Sequence, residues 1–198
     1  MTAAIAENPE TADQIRLVAR DLFCRDGYNG TGMRSLAAAV GIRPGSLYNH
    51  IDSKQALLYE LVSEYESNFL ELFRSKKIGR CDRASQLVTL LWQSAEQYVI
   101  ANKELGRIAR VENGNLTPRQ ARTIAVLRRR RVRELQKLLS KHVSEISVSG
   151  EGVLVLAEEL HHLLQCSMNQ ILDSDTSDDC FVREQMLRMA SMLLVKRD

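Results

Sequence analysis

Residues Thr31–Leu57 read TGMRSLAAAVGIRPGSLYNHIDSKQAL, and the fold follows from this stretch. Leu36, Ala37 and Val40 fall at helical spacing, so Met33 to Val40 is predicted as a short helix. Gly41 can adopt the left-handed backbone that ends a helix, because it has no Cβ to clash. Ile42 is an apolar plug, and Pro44 suits the first turn of a second helix, where its missing N–H costs nothing. That helix turns Leu47 and Ile51 inward and leaves Arg43, Ser46, Tyr48, Asn49 and His50 outside. Asp52 or Ser53 caps a third helix, with Lys54 at its opening. The pattern is a helix-turn-helix whose second helix is shaped for a DNA major groove, so double-stranded DNA is the expected partner.

Upstream, an amphipathic helix over about Pro9 to Asp26 places Ile15, Val18, Ala19, Leu22 and Phe23 on one face. Gly27 ends it, and Thr31 is a candidate N-cap for the next helix. The run Gly41 to Leu57, with Phe23, Gly27, Tyr28 and Thr31 before it, resembles the DNA-binding signature of the TetR family of bacterial transcriptional regulators. The likeness covers roughly the first sixty residues, and its most specific part is Leu-Tyr-x-His-x-x-x-Lys, Leu47 to Lys54. It implies that Met33, Arg34, Arg43, Pro44, Gly45, Ser46, Tyr48, Asn49 and His50 face the groove, with Thr31 and Lys54 in the same DNA-facing set. Arg34 and Arg43 have forks that can grip a guanine edge or a phosphate. Tyr48, His50 and Lys54 are phosphate holders on this reading. The family has a small hydroxyl residue where Gly32 stands, so one phosphate contact is absent here.

The 198 residues can bury a sizeable core, and scarce aromatics with few prolines favour helix throughout. An all-α chain is expected. The net charge of +2 hides an asymmetry. Thr117 to Lys141 holds nine basic residues and one acid, whereas Glu151 to Cys180 holds seven acids and no Lys or Arg. The first 52 residues are near neutral, so the reader must work through a few placed groups. The cysteines, Cys24, Cys81, Cys166 and Cys180, show no paired spacing and suit reduced thiols. MTAAIAENPE lacks the features of a secretion signal, and no apolar run reaches the roughly 20 residues that span a bilayer, which suits a cytoplasmic protein with no membrane partner.

Further helices are expected over about 53–74, 83–101, 103–111, 117–142, 153–172 and 180–196, nine in all. The expected division is a DNA-binding domain over 1–52 and a ligand-binding and dimerisation domain over 53–198. The apolar stripes Leu156, Leu160, Leu163, Leu164 and Phe181, Met186, Met189, Leu193 suggest a four-helix interface in a homodimer, at about 150–196.

Arg128-Arg129-Arg130-Arg131 looks like a nucleic-acid patch, but successive residues on a helix turn by about 100° and cannot share a face. With Ile124, Leu127, Val132, Leu135, Leu138 and Leu139 defining the buried side, Arg128 and Arg131 point inward, while Arg129, Arg130, Arg133 and Lys137 point away. Two inward guanidiniums need an anion. Either they line a cavity for an anionic, partly apolar effector, or they pair with internal acids such as Glu104 or Glu112, or their stems snorkel outward. Trp92 and Tyr98 could line the same cavity, or be plain core. The stretch Glu104 to Glu112 with the arginine-rich helix also resembles TetR-type regulators of fatty-acid and sterol breakdown, which implies a coenzyme A thioester as effector.

His162 and Cys166 share a face, but no further ligands stand near, and no metal or cofactor is expected. There is no Glu-x-x-His pair, phosphate loop or nucleophile signature, so an enzyme is not expected. The reading is a ligand-responsive homodimeric repressor on a palindromic operator. An activator of the same fold is the alternative, and the position of the DNA site relative to a promoter separates the two.

Overall fold

The computed structural model describes residues 9–146, 150–173, 184 and 188, and the described secondary structure is helical. The α-helices are α1 Pro9–Gly30, α2 Met33–Val40, α3 Pro44–Leu47, α4 Lys54–Arg74, α5 Lys76–Gly79, α6 Ala84–Ala101, α7 Lys103–Val111, α8 Pro118–Leu139, α9 Val143–Ile146 and α10 Gly150–Asp173. Single 3-10 turns follow α7 and α8. The expected helix over 180–196 lies outside the described residues. So do the interface residues Phe181, Met186, Met189 and Leu193. Two short helices were not expected: α5 in the polar run after Arg74, capped by Ser75, and α9 before residue 147. No described helix is long and apolar enough to cross a membrane.

Contacts divide the chain into two compact units, 1–65 with 104–123, and 66–103 with 124–198. The first turns of α4 bury Leu57, Leu58, Leu61 and Val62, and Arg16 of α1 pairs with Glu60 and Glu64. Within the first unit α1 packs on α2, α2 on α3, and α1 on the turn at Glu112–Asn115.

The turns are set by backbone chemistry. Gly27 interrupts α1 at φ 74°, which is where the sequence placed the helix end. Gly41 closes α2 at φ 81°. Its N–H donates to Ala38 (3.1 Å), and that of Ile42 to Ala37 (3.0 Å), the two bonds of a left-handed helix cap. Regular α3 ends at Leu47, yet His50 N and Ile51 N still donate to Leu47 O, so the helical path reaches Ile51. Ser53 caps α4 by accepting from Ala56 N at 3.0 Å.

In the second unit one apolar cluster joins α4, α6, α8 and α10 through Phe69, Phe73, Leu87, Leu91, Trp92, Leu135, Leu139, Leu156, Leu160 and Leu164. Leu156, Leu160 and Leu164, expected at a dimer interface, are therefore core residues. The exposed apolar side chains of α10 are instead Leu154 and Val155. They lie two and one positions before Leu156, turned away from the buried stripe.

Candidate nucleic-acid interface

The reader face is built from the first unit alone. Leu36, Ala37, Val40, Leu47 and Ile51 are buried and fix α2 against α3. Arg34, Arg43, Pro44, Gly45 and Asn49 are exposed, Met33, Ser46 and His50 are half-buried, and Tyr48 is 57% exposed. An aromatic side chain held this far out of a core has polar and stacking surface to offer a partner. Arg34 and Arg43 have no ion pair among the described residues, so both guanidiniums remain available. The half-turn between the helices cannot sag, because both ends of the Gly41 cap are hydrogen-bonded.

Two residues of the expected DNA-facing set have other work. Thr31 is 1% exposed, and its hydroxyl donates back to Gly27 O at 2.9 Å. The N-cap of α2 is Gly32, whose N–H donates to Ser35 Oγ at 3.1 Å. Thr31 therefore does not cap the helix, and its hydroxyl is turned inward. Lys54 turns inward. Its Nζ donates to Tyr28 O (2.8 Å) and Thr31 O (2.9 Å) and sits 4.2 Å from the centre of the Tyr28 ring. It is a strut that ties the end of α1 and Thr31 to the start of α4. Replacing Lys54 with Met should lower stability by about 2 kcal/mol, through two lost charge-assisted bonds, as read from a urea midpoint. A phosphate contact would instead leave stability unchanged and reduce the salt dependence of DNA binding.

A second brace in this unit has no local sequence signal. Glu112 Oε1 accepts from Tyr28 N (3.0 Å), and Asn115 Nδ2 donates to Glu112 Oε2 (2.6 Å). Gln55 Nε2 donates to Asn115 O (2.8 Å) and Gln120 Oε1 (3.0 Å), and Tyr28 Oη donates to Gln55 Oε1 (3.1 Å). Glu112, a candidate partner of the arginines, is thus committed to the loop before α2. Glu104, the other candidate, pairs with Arg20 at 2.7 Å.

The inward arginines find a different acid. In the second unit Arg128 Nε donates to Glu66 Oε1 (2.8 Å), with its NH2 group at 2.6 Å from the same oxygen. Arg131 pairs with Glu66 Oε2, and its guanidinium carbon lies 4.6 Å from the centre of the Phe69 ring. Arg129, Arg130, Arg133 and Lys137 are exposed, as the wheel required. Tyr98 packs edge-on to Phe69 at 5.7 Å, while Trp92 is buried with its indole N–H 3.2 Å from Ser167 Oγ.

His161 of α10 stands near this cluster, its ring 6.4 Å from that of Phe73. Burial, and then the charge of Arg131 and of His162, lower its pKa to about 4. The unfolded chain binds a proton near pH 6.5 that the folded chain refuses until about pH 4. Stability is therefore fully present above pH 6.5 and falls as pH drops from 6.5 to 4, by an amount on the order of 3 kcal/mol. Thermal melts should show this loss, and His161→Leu should reduce it. His162 Nε2 lies 3.6 Å from Cys166 Sγ, and no cluster of three metal-binding side chains occurs among the described residues.

The geometry is that of a helix-turn-helix with a free recognition face, and residues 15–61 match the profile of the bacterial regulatory proteins of the tetR family. Residues 15–61 are thus similar to the DNA-binding domain of that family. The regulator UidR of Escherichia coli K12 is 31% identical to it over 68 residues, which is 34% of this chain and 35% of that one. The chain thus spans about a third of the length of that curated relative. Among solved structures, FadR of Bacillus subtilis bound to stearoyl-CoA superposes with a TM-score of 0.74 at 15% identity, over 91% of this chain and 98% of that one. AibR in complex with isovaleryl coenzyme A and operator DNA gives 0.70 at 21% identity, over 93% and 98%. At these identities the likeness establishes the TetR fold along the chain. The matching family is one of transcriptional regulators, not of enzymes.

Proposed function

We propose that the chain is a homodimeric repressor that binds a palindromic operator and leaves it when an anionic, partly apolar effector enters its larger unit. The exposed face of Arg34, Arg43, Tyr48 and Asn49 on a rigidly capped α2–α3 pair carries this reading. A dimer is supported by the exposed Leu154 and Val155 of α10, which need a cover. An effector in the arginine region is supported by Arg128 and Arg131, by Tyr98 behind Phe69, and by the coenzyme A thioesters held by AibR and FadR. Because α4 begins beside the reader and runs on into the larger unit, it is the natural path by which an effector alters the spacing of two reader helices. Half-sites one helical turn apart, or a multiple, tolerate little change in that spacing. Gel shifts on the intergenic DNA flanking the coding sequence test the reading. Salt-sensitive, palindrome-specific binding is expected, and its absence sinks the proposal.

A further inference from the structure

Glu66 is a carboxylate on the apolar stripe of α4, four residues after Val62 and four before Leu70, and it is 3% exposed. A charge in such a place needs partners, and among the described residues it pairs with Arg131, at 2% exposure, and with Arg128 at the rim. We propose that Glu66 is the tethered occupant of an anion-binding site, and that an effector with a carboxylate or phosphate on an apolar body acts by taking Arg131 and Arg128 away from it. The proposal rests on the ligand-responsive reading above and names the chemistry and the step by which the effector works.

The surroundings suit such a guest. The Arg131 guanidinium lies over the Phe69 ring, with Phe73 one turn further along α4, so the charge is set against an aromatic wall that an alkyl body could share. His161 Nε2 is shut off from solvent and has no hydrogen-bond partner among the described residues, which leaves a polar atom for a second oxygen of the guest. The Arg128 side chain is 37% exposed, so the cluster reaches solvent on one side and an anion can be captured there before it moves to Arg131.

Displacement carries its own coupling. Once a guest anion holds the guanidiniums, Glu66 is a buried carboxylate whose partners are taken, a state that α4 relieves only by turning Glu66 outward or by shifting along its axis. The two states of α4 therefore differ in which anion meets the arginines, and the guest's preference for one of them sets the shift. Glu66 also lowers the guest's apparent affinity, since the guest has to expel it.

The full-length chain, its Glu66→Gln variant and its Arg128→Gln variant test this. Octanoate, octyl phosphate and uncharged octanol serve as probes, followed by calorimetry and by the fluorescence of Trp92, the one tryptophan. Glu66→Gln should bind at least one of the anions about tenfold or more tightly than wild type, with octanol unchanged, and Arg128→Gln about tenfold more weakly. The anion that gains more identifies carboxylate or phosphate as the natural group. Operator binding, measured on the same preparations, should respond to that anion in wild type and no longer in Glu66→Gln. Equal anion affinity in wild type and Glu66→Gln, no anion binding by either, or an anion that releases both from DNA alike would overturn the proposal. If operator binding is intact while the anion arms fail, the regulator reading stands and this inference falls. Anion binding as described with no operator binding by wild type counts against the regulator reading and against the coupling step, and leaves the anion site.

Discussion

Replacing Glu66 with leucine is expected to lower the stability of the folded chain by about 3–5 kcal/mol, as read from a urea denaturation midpoint. The substitution adds an apolar side chain of fair size to an apolar stripe, so a simple hydrophobic ledger would score it as neutral or better. The loss comes from what remains. Arg131 is a fully buried guanidinium, and the carboxylate that faces it is gone. Arg128, being partly exposed, turns to solvent and contributes little to the loss. The double variant Glu66→Leu with Arg131→Leu should recover most of the stability, because a buried pair exchanged as a whole for apolar residues is often neutral or stabilising. A double variant as unstable as the single one would mean that shape at this point of α4, and not charge, sets the cost.

The second large effect is expected at the reader. Changing Arg34 and Arg43 together to alanine should weaken specific operator binding about thirtyfold or more while leaving the melting temperature in place. Each arginine that grips a base edge or phosphate is worth about 1–3 kcal/mol, and the two act from separate helices. Both side chains are exposed and without an ion pair among the described residues, so the fold has nothing to lose with them. An equal loss of stability would mark the pair as structural. Loss of affinity for all DNA alike, with a shallower salt dependence, would assign them to phosphates and not to bases.

What the sequence disclosed tracks the distance over which each feature is decided. The α2–turn–α3 unit is local: Gly41, Pro44 and the spacing of Leu36, Val40, Leu47 and Ile51 specify it within about twenty residues. The inward aim of Arg131 was legible too, since one helix wheel fixes it. Its partner was not legible, because Glu66 lies 65 positions away and competed with acids nearer the arginines, yet a signal existed in its place between Val62 and Leu70. Lys54 has contacts that its position in the sequence did not show. A lysine at a helix start beside a DNA reader suits a phosphate, and only the fold reveals that two backbone carbonyls, at Tyr28 and Thr31, already occupy it. Thr31 is similar, its hydroxyl having a carbonyl one turn back at Gly27. The stripe of α10 was read correctly as apolar but given to the wrong neighbour, since periodicity shows that a face is buried and does not show against what.

The central claim is that two copies of the α2–α3 reader bind two half-sites at a fixed separation. Quantitative footprinting on an operator selected from random DNA tests it, with the half-site spacing varied one base pair at a time. Protection should cover two inverted half-sites, and inserting about half a helical turn between them should reduce affinity by a hundredfold or more, with recovery when a full turn is inserted. Binding that ignores the spacing, or a footprint confined to one half-site at full affinity, would contradict the account.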